Sequence, residues 1–430
     1  MSPLDSGKPT PQLELTSRPS ESFKLDTAQG KVVRTVRWNG KPHTTSLDLP
    51  AGHIDFVDEA TAWDWAWLRQ SSPPRRGRGE RVRIADIFSG CGQMSVGAAE
   101  AARAVGLHAE LALAVDLAPD AVEVCRRMFP SCDGRTTPIE HILDGTLRAK
   151  PTKIERAFIK QLGEIDLLVG GPPCQGHSDF NNHTRRHDDR NALALKMVRF
   201  AELVRPRHIV LENVRGIIHD RSGVFQTVRA ELERLKYRTA QRLLEAETHG
   251  VPQLRRRMFL VATLERDVDP DAALTWSPTK ARSFSWACSD LERAAKHSDD
   301  PFNRPPKATE RNQKRIDYLF QNELWDLPNH QRPPCHQDGG HSYKSVYGRM
   351  YWNRPVQTIT TGFRCMGQGR FVHPRQPRTI TPHEAARLQF IPDFVDFSGL
   401  RATSVAKLIG NAVPPKLLYG IGLALFSGQS

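Results

Sequence analysis

From Arg83 onward, short apolar runs alternate with stretches whose apolar positions recur at helical spacing, the signature of an α/β sheet. The pattern predicts strands at 82–88, 109–115, 165–169, 208–212 and 258–262, and helices over 94–105, 120–128, 193–204 and 223–235. Upstream, residues 31 to 49 alternate apolar and polar side chains around Asn39-Gly40, which predicts a hairpin. Residues 58–68, with Trp63, Trp65 and Trp67, read as a short helix or an edge packed on the next domain. The first 20 or so residues are rich in Pro, Ser and Thr, so disorder is expected there. Ser71 to Arg81 reads as a basic linker. From about Asp267 to Arg349 the rhythm stops and Pro, Asn, His and Trp become frequent, as in a separate, loop-rich module. A last helix is expected over 416–426, and there is no internal repeat.

Charge adds a partner class. The 61 Lys and Arg against 48 Asp and Glu give a formal +13, which suits a polyanion such as nucleic acid. No run approaches the ~20 apolar residues of a membrane span, and the start lacks a signal peptide's apolar core. Seven scattered cysteines, an odd set, argue against a disulfide framework and for a reducing compartment. A cytoplasmic protein is expected.

Candidate chemistry begins where the first strand becomes a helix. In Asp86-Ile87-Phe88-Ser89-Gly90-Cys91-Gly92, the two glycines permit a tight turn and a close backbone approach to a ligand. Asp116 ends the next strand, where an acid commonly holds ribose hydroxyls. The third glycine of the dinucleotide fingerprint is absent, which disfavours a nicotinamide enzyme. Further on, Gly170-Gly171-Pro172-Pro173-Cys174-Gln175-Gly176 follows an apolar strand. Two prolines stiffen the backbone before a thiol while glycines leave room around it, as a nucleophile requires. Glu212-Asn213-Val214 closes another strand, and parallel strands place their C-terminal ends at one edge, so these three segments should converge.

On these landmarks the chain resembles the cytosine-5 DNA methyltransferase family. The Phe88–Gly92 turn, Pro172-Pro173-Cys174-Gln175 and Glu212-Asn213-Val214 come in the family's order. After them come Gln253-Leu254-Arg255-Arg256-Arg257, residues 378 to 392 and Gly410-Asn411-Ala412-Val413-Pro414-Pro415. The resemblance implies a Rossmann-like S-adenosylmethionine-dependent sheet with a smaller target-recognition domain. It implies that Phe88, Gly90, Cys91, Gly92, Asp116, Pro173, Asn411 and Val413 line the cofactor site. Cys174 is then the nucleophile toward cytosine carbon 6, Glu212 the proton partner of ring nitrogen 3, and Arg257 the ligand of the exocyclic oxygen. Arg255 is expected near Cys174 and the flanking phosphate, and no metal is expected.

By the same resemblance the substrate is double-stranded DNA with the target base flipped out, and 267–349 reads neighbouring base edges. Protection from restriction is the leading role, with a cognate endonuclease as the functional partner. The implied division is an extension at 1–80, a catalytic and cofactor-binding part at 81–266, a recognition part at 267–400 and a return at 401–430. Within the recognition part, 378–392 braces the two domains, with Glu384 and Arg387 spaced for pairing on one helix face.

Three positions depart from the family pattern. His177 stands where an apolar aromatic residue is usual, and Leu117 where an aromatic often covers the adenine. No clear acid lies between Asp133 and Glu140 to take the adenine amino group. Rival readings are methylation of tRNA, which Gly176-His177-Ser178 disfavours, and a silent DNA-binding regulator, which the intact Cys174, Glu212 and arginine set disfavours. A faint zinc-deaminase echo joins His108-Ala109-Glu110 to Cys174 and His177, but His108 heads a strand instead of a helix.

Overall fold

The chain is described from a computed structural model over residues 19–38, 41–50, 56, 58–74, 77–173, 193–219, 223–276, 278–292, 299–337 and 346–427. The expected hairpin is present as β2 (Lys31–Trp38) and β3 (Lys41–Asp48), paired antiparallel from Lys31↔Asp48 to Trp38↔Lys41. A further strand, β1 (Ser20–Asp26), adds to its edge. The alternation of β2 buries Val32, Arg34 and Val36 on one face, so an arginine sits inside an otherwise apolar row. Arg34 finds its charge partner in Glu100 at 2.9 Å and donates to the Tyr419 hydroxyl at 2.9 Å.

The tryptophan stretch is the helix Glu59–Leu68, capped by Asp58, whose carboxylate accepts the Thr61 N–H. It buries Trp63, Trp65 and Trp67, and Trp67 stacks on Phe390. Buried Asp64 takes Lys416 at 2.7 Å and also pairs with Arg282. Val32, Val36, Leu47, Trp63 and Trp67 belong to the same core as the main sheet. The N-terminal segment is thus packed into the body of the molecule.

Seven strands form the central sheet: β4 (Arg81–Ile87), β5 (His108–Asp116), β6 (Asp133–Thr136), β7 (Leu167–Gly170), β8 (His208–Val214), β9 (Arg238–Glu245) and β11 (Arg256–Thr263). Their order is β6-β5-β4-β7-β8-β11-β9. The first five run parallel, and β11 is antiparallel to both β8 and β9. All five expected strands are there. The unforeseen pair is β6, only four residues long, and β9, an edge strand whose polar and apolar positions do not alternate cleanly.

Helices Gln93–Ala104 and Pro415–Phe426 cover one face, so closely that a Cβ on Gly97 would lie 2.1 Å from the Pro415 carbonyl. Ala194–Val204 and Val224–Arg234 cover the other. The chain leaves β4 toward β5 on one side and reaches β7 on the other, so a crevice opens beyond the C-terminal ends of these strands.

The remaining chain is only partly a separate module. Val268, Phe284, Cys288 and Leu291 join the main core, as do Ile380 to Phe397. A small second core gathers Ile316, Leu319, Leu327, Val346, Tyr347, Met366 and Val372, the first two from the helix Glu310–Gln321. A two-residue ribbon joins the halves: β10 (Gln253–Leu254) lies parallel to β12 (Val356–Gln357).

The expected pairing of Glu384 with Arg387 does not form. Glu384 is the third residue of the helix Pro382–Leu388 and turns back into a capping box with Thr381, where Arg378 meets it at 2.7 Å. Arg387, in the last turn, pairs with Asp290 and Asp393 instead. Arg378 thereby fixes the start of this helix, and Arg387 ties its end to neighbouring segments. No single described helix is long and apolar enough to cross a membrane.

Candidate active site

Beyond Ile87 the backbone enters the left-handed region at Phe88 (φ 67°), Gly90 (φ 50°) and Gly92 (φ 70°). For the glycines this costs little, whereas for Phe88 it costs about 1–2 kcal/mol, recovered by the contacts that hold it. The Phe88 and Ser89 N–H groups both donate to the Val115 carbonyl, at 2.9 and 3.0 Å. Asp116 accepts from the Gly90 N–H at 2.8 Å and the Ala118 N–H at 2.9 Å. One carboxylate therefore fixes the turn against the end of β5.

Gly92 is the N-cap of helix Gln93–Ala104, and among the described residues no side chain caps that end. Its first N–H groups and positive dipole end are available to an anionic ligand group. Leu117, beside Asp116, is 68% exposed and offers an apolar surface to a flat ring. Nothing lies within 4 Å of where a Cβ on Gly90 would stand.

Cys91 contributes backbone and packing only. Its Sγ is buried 3.7 Å from the Leu408 carbonyl, and burial pushes the thiol up to about 12. That contact brings the helix Ala402–Asn411 to the turn. Asn411, its last residue, is exposed, and Val413, two residues on, is buried. Beneath the turn, buried Asp86 accepts from the Ser95 hydroxyl at 2.6 Å, fixing the start of the helix from below.

A second group forms at the ends of β7, β8 and β11. Glu212 lies next to the end of β8, and the antiparallel register sets Arg257 opposite Val214. The Arg257 Nε is 2.8 Å from Glu212 Oε1. Burial raises the Glu212 pKa, and the charges of Arg257 and Arg255 offset that only in part, so it stays above the usual glutamate value. A Cβ on Gly171 would stand 3.1 Å from Glu212 Oε2, and one on Gly170 would stand 2.6 Å from the Ile87 carbonyl. These glycines bring the end of β7 against both Glu212 and the end of β4. The chain continues through buried Pro172 and half-buried Pro173 toward Cys174. Cys174 lies outside the described residues, as does His177.

Arg255 lies near enough for its charge to bear on Glu212. Its guanidinium is buried and donates to the Ile359 carbonyl at 3.0 Å and to those of Gly410 and Ala412 at 3.3 and 3.0 Å. Arg255 is expected near Cys174 and a phosphate; Cys174 lies outside the described residues, and among the described ones Arg255 joins three chain segments. Two residues that sequence reasoning left without a role, Gln253 and Gln389, sit in the same knot. A glutamine inside the apolar run Leu388-Gln389-Phe390-Ile391 was the available signal, since such a side chain must find buried partners. His108 heads β5, and Glu110 pairs with Arg81 and Arg83, so neither stands on a helix.

The arrangement joins a glycine turn and a helix N-terminus to a buried acid paired with a partly buried arginine, at one edge of the sheet. The family model for C-5 cytosine-specific DNA methylases matches residues 82–427. The Type II methyltransferase M1.BsuMI of Bacillus subtilis is 46% identical over 405 residues, covering 94% of each chain, and so shares most of the N-terminal segment. The Type II methylase M.HgiDII of Herpetosiphon aurantiacus is 33% identical over 265 residues, covering 58% of this chain and 73% of its own. Among solved structures, a prophage-encoded DNA modification methyltransferase of E. coli superposes with a TM-score of 0.55 at 23% identity, covering 80% of this chain and 98% of its own.

Proposed function

Because the chain belongs to the C-5 cytosine-specific DNA methylase family, we propose that its crevice binds S-adenosylmethionine and that Cys174 attacks a cytosine flipped out of duplex DNA. The chain is a DNA (cytosine-5-)-methyltransferase; the proposal concerns which residues perform the reaction. The observation that carries it is the pairing of buried Glu212 with partly buried Arg257 beside Gly171, three residues before Cys174.

The crevice suits the cofactor. Asp116 presents a carboxylate to ribose hydroxyls, the uncapped N-terminus of Gln93–Ala104 suits an anionic carboxylate, and exposed Leu117 suits the adenine face. Phe88, Gly90 and Gly92 shape that wall, and Pro173, Asn411 and Val413 complete it. S-adenosylmethionine supplies an electrophilic methyl group.

The Cys174 thiolate forms a bond to cytosine carbon 6, and the displaced electron pair moves toward ring nitrogen 3 and carbon 5. Glu212, held above the usual glutamate pKa, gives a proton to nitrogen 3 and limits the charge that builds there. Arg257 orients Glu212 and hydrogen-bonds the exocyclic oxygen. Carbon 5 becomes nucleophilic and is methylated. Loss of its proton to solvent then breaks the bond to sulfur, and the nitrogen-3 proton returns to Glu212, restoring the ring, the free thiolate and the acid. A duplex base cannot reach such a pocket without leaving the stack.

The Bacillus relative is named as a Type II methyltransferase, which supports protection of cellular DNA from a cognate restriction endonuclease, in the cytoplasm. Bisulfite sequencing of DNA from cells expressing the protein tests this reading. Methylcytosine confined to one short sequence supports it; transfer to tRNA with none to duplex DNA contradicts it.

A further inference from the structure

Gln253, Arg255 and Gln389 form a buried knot that the base and cofactor sites share. The Gln253 Oε1 must be the acceptor of its amide, because it faces the Ile359 backbone N–H at 2.8 Å. Its Nε2 then spends both protons, on the Leu388 carbonyl at 3.0 Å and the Gln389 Oε1 at 2.9 Å. That fixes Gln389 in turn, whose Nε2 donates to the Ile409 carbonyl at 2.7 Å and more weakly to Gly410 at 3.4 Å. Both glutamines are fully buried. Arg255 closes the ring by holding Ile359 together with Gly410 and Ala412.

The hydrogen bonds run in one direction, Ile359 to Gln253 to Gln389 to Ile409, and every donor and acceptor of the two amides is used. Such a chain is mutually polarised and holds only one arrangement. Arg255, which spans the two ends, lies two residues before Arg257, the partner of Glu212. The Ile409 end leads into Asn411, the last residue of the helix that Cys91 touches. Ile359 follows β12, on the side of the recognition half.

We propose that Gln389 is a positioning residue that sets the base-side arginine and the cofactor-side return relative to each other, so that one side chain governs both binding of S-adenosylmethionine and turnover on DNA. This rests on the placement of the two sites proposed above. Gln389→Met keeps the volume but removes the donors and the acceptor. Gln389→Glu keeps the acceptor toward Gln253 and turns a carboxylate oxygen toward the Ile409 carbonyl. Protonation restores one donor there, and burial brings that protonation into the mildly acidic range.

The test uses the full chain, with calorimetry for S-adenosylmethionine and kcat for methyl transfer to duplex DNA containing the site. Gln389→Met is expected to weaken cofactor binding and lower kcat together, each by about tenfold, at temperatures where its melt shows it folded. Gln389→Glu should show the same double loss at neutral pH and recover relative to wild type as the pH falls. A folded Gln389→Met with wild-type values for both quantities overturns the proposal, and so does a loss confined to one of them. If Gln389→Met does not fold, Gln389→Glu decides, and a loss with no recovery in acid overturns it. Asp116→Ala and Glu212→Gln run alongside: if these too leave binding and turnover unchanged, the assignment of the two sites has failed as well.

Discussion

The Nε of Arg257 sits 2.8 Å from Glu212 Oε1, yet the Glu212 carboxyl remains easier to protonate than an ordinary glutamate, because burial outweighs the arginine's charge. An ion pair at a surface would do the reverse. The consequence is a site that favours the neutral acid more than water would, while its partner keeps it in place.

A trade between activity and stability follows. A folded-state pKa raised above the unfolded ~4.3 favours folding fully only below that value, and the benefit is lost as pH rises through the folded pKa. In its ionised form Glu212 is therefore a net cost to folding. Glu212→Gln should lower kcat by about 10²–10⁴-fold, while the melting temperature at neutral pH stays equal or rises. A clear drop in melting temperature would mean that the ion pair, not burial, dominates.

Asp116 both faces the crevice and holds the Gly90 and Ala118 N–H groups. Asp116→Ala should weaken S-adenosylmethionine binding by about 1–3 kcal/mol. Asp116→Asn keeps one acceptor oxygen for the turn but removes the charge, so it should lose less. Calorimetry checks both, and an unchanged dissociation constant for the alanine variant would remove Asp116 from the site.

The N-terminal segment is expected to be needed for folding, although every motif lies beyond residue 80. Asp64 is buried; burial alone would raise its pKa, but the charges of Arg282 and Lys416 prevail and hold it below the usual aspartate value. Asp64→Ala strands both cations and should cost about 3–5 kcal/mol. A depressed carboxylate stabilises above its unfolded pKa of ~3.9 and loses that contribution as pH falls through the lower folded value. The gap between wild type and variant in denaturant melts should therefore narrow below about pH 4. Deletion of residues 1–80 should abolish soluble, cooperatively melting protein; a stable truncation would contradict the packing account.

Sequence choice is expected to travel with the small core. That core runs from Ile316 to Val372, past the point where the α/β rhythm resumes, while Phe284 to Leu291 pack with the catalytic half. Grafting 299–376 onto a related enzyme should move its methylation pattern in bisulfite sequencing. An active chimera that keeps the host pattern would show that recognition lies elsewhere.

Much of this was legible in the chain. The buried parallel strands announced themselves as apolar runs, and the Phe88–Gly92 turn, Asp116 and Glu212 fell at strand ends where the sheet needs them. What escaped had weaker local signals. Helix Lys153–Leu162 buries only Glu155, Phe158 and Leu162, although the Thr152–Glu155 capping box was there to find. Glu310–Gln321 buries only Ile316 and Leu319. The Glu384–Arg387 pairing failed because spacing on a helix says nothing of a cap or of Asp290, 97 residues away. The resemblance places Arg255 near Cys174, but nothing local announces its buried carbonyl partners, which come from segments more than a hundred residues distant.

The covalent step is the central claim, and a fluorocytosine duplex tests it most directly. Fluorine at carbon 5 permits thiol addition and methyl transfer but cannot leave as a proton does, so the enzyme should be trapped on the base. Wild-type protein incubated with S-adenosylmethionine and such a duplex containing its site should give a protein–DNA adduct that survives denaturation. Glu212→Gln should form it more slowly, and Cys174→Ala should form none. An adduct from Cys174→Ala at the wild-type rate would show that another residue is the nucleophile.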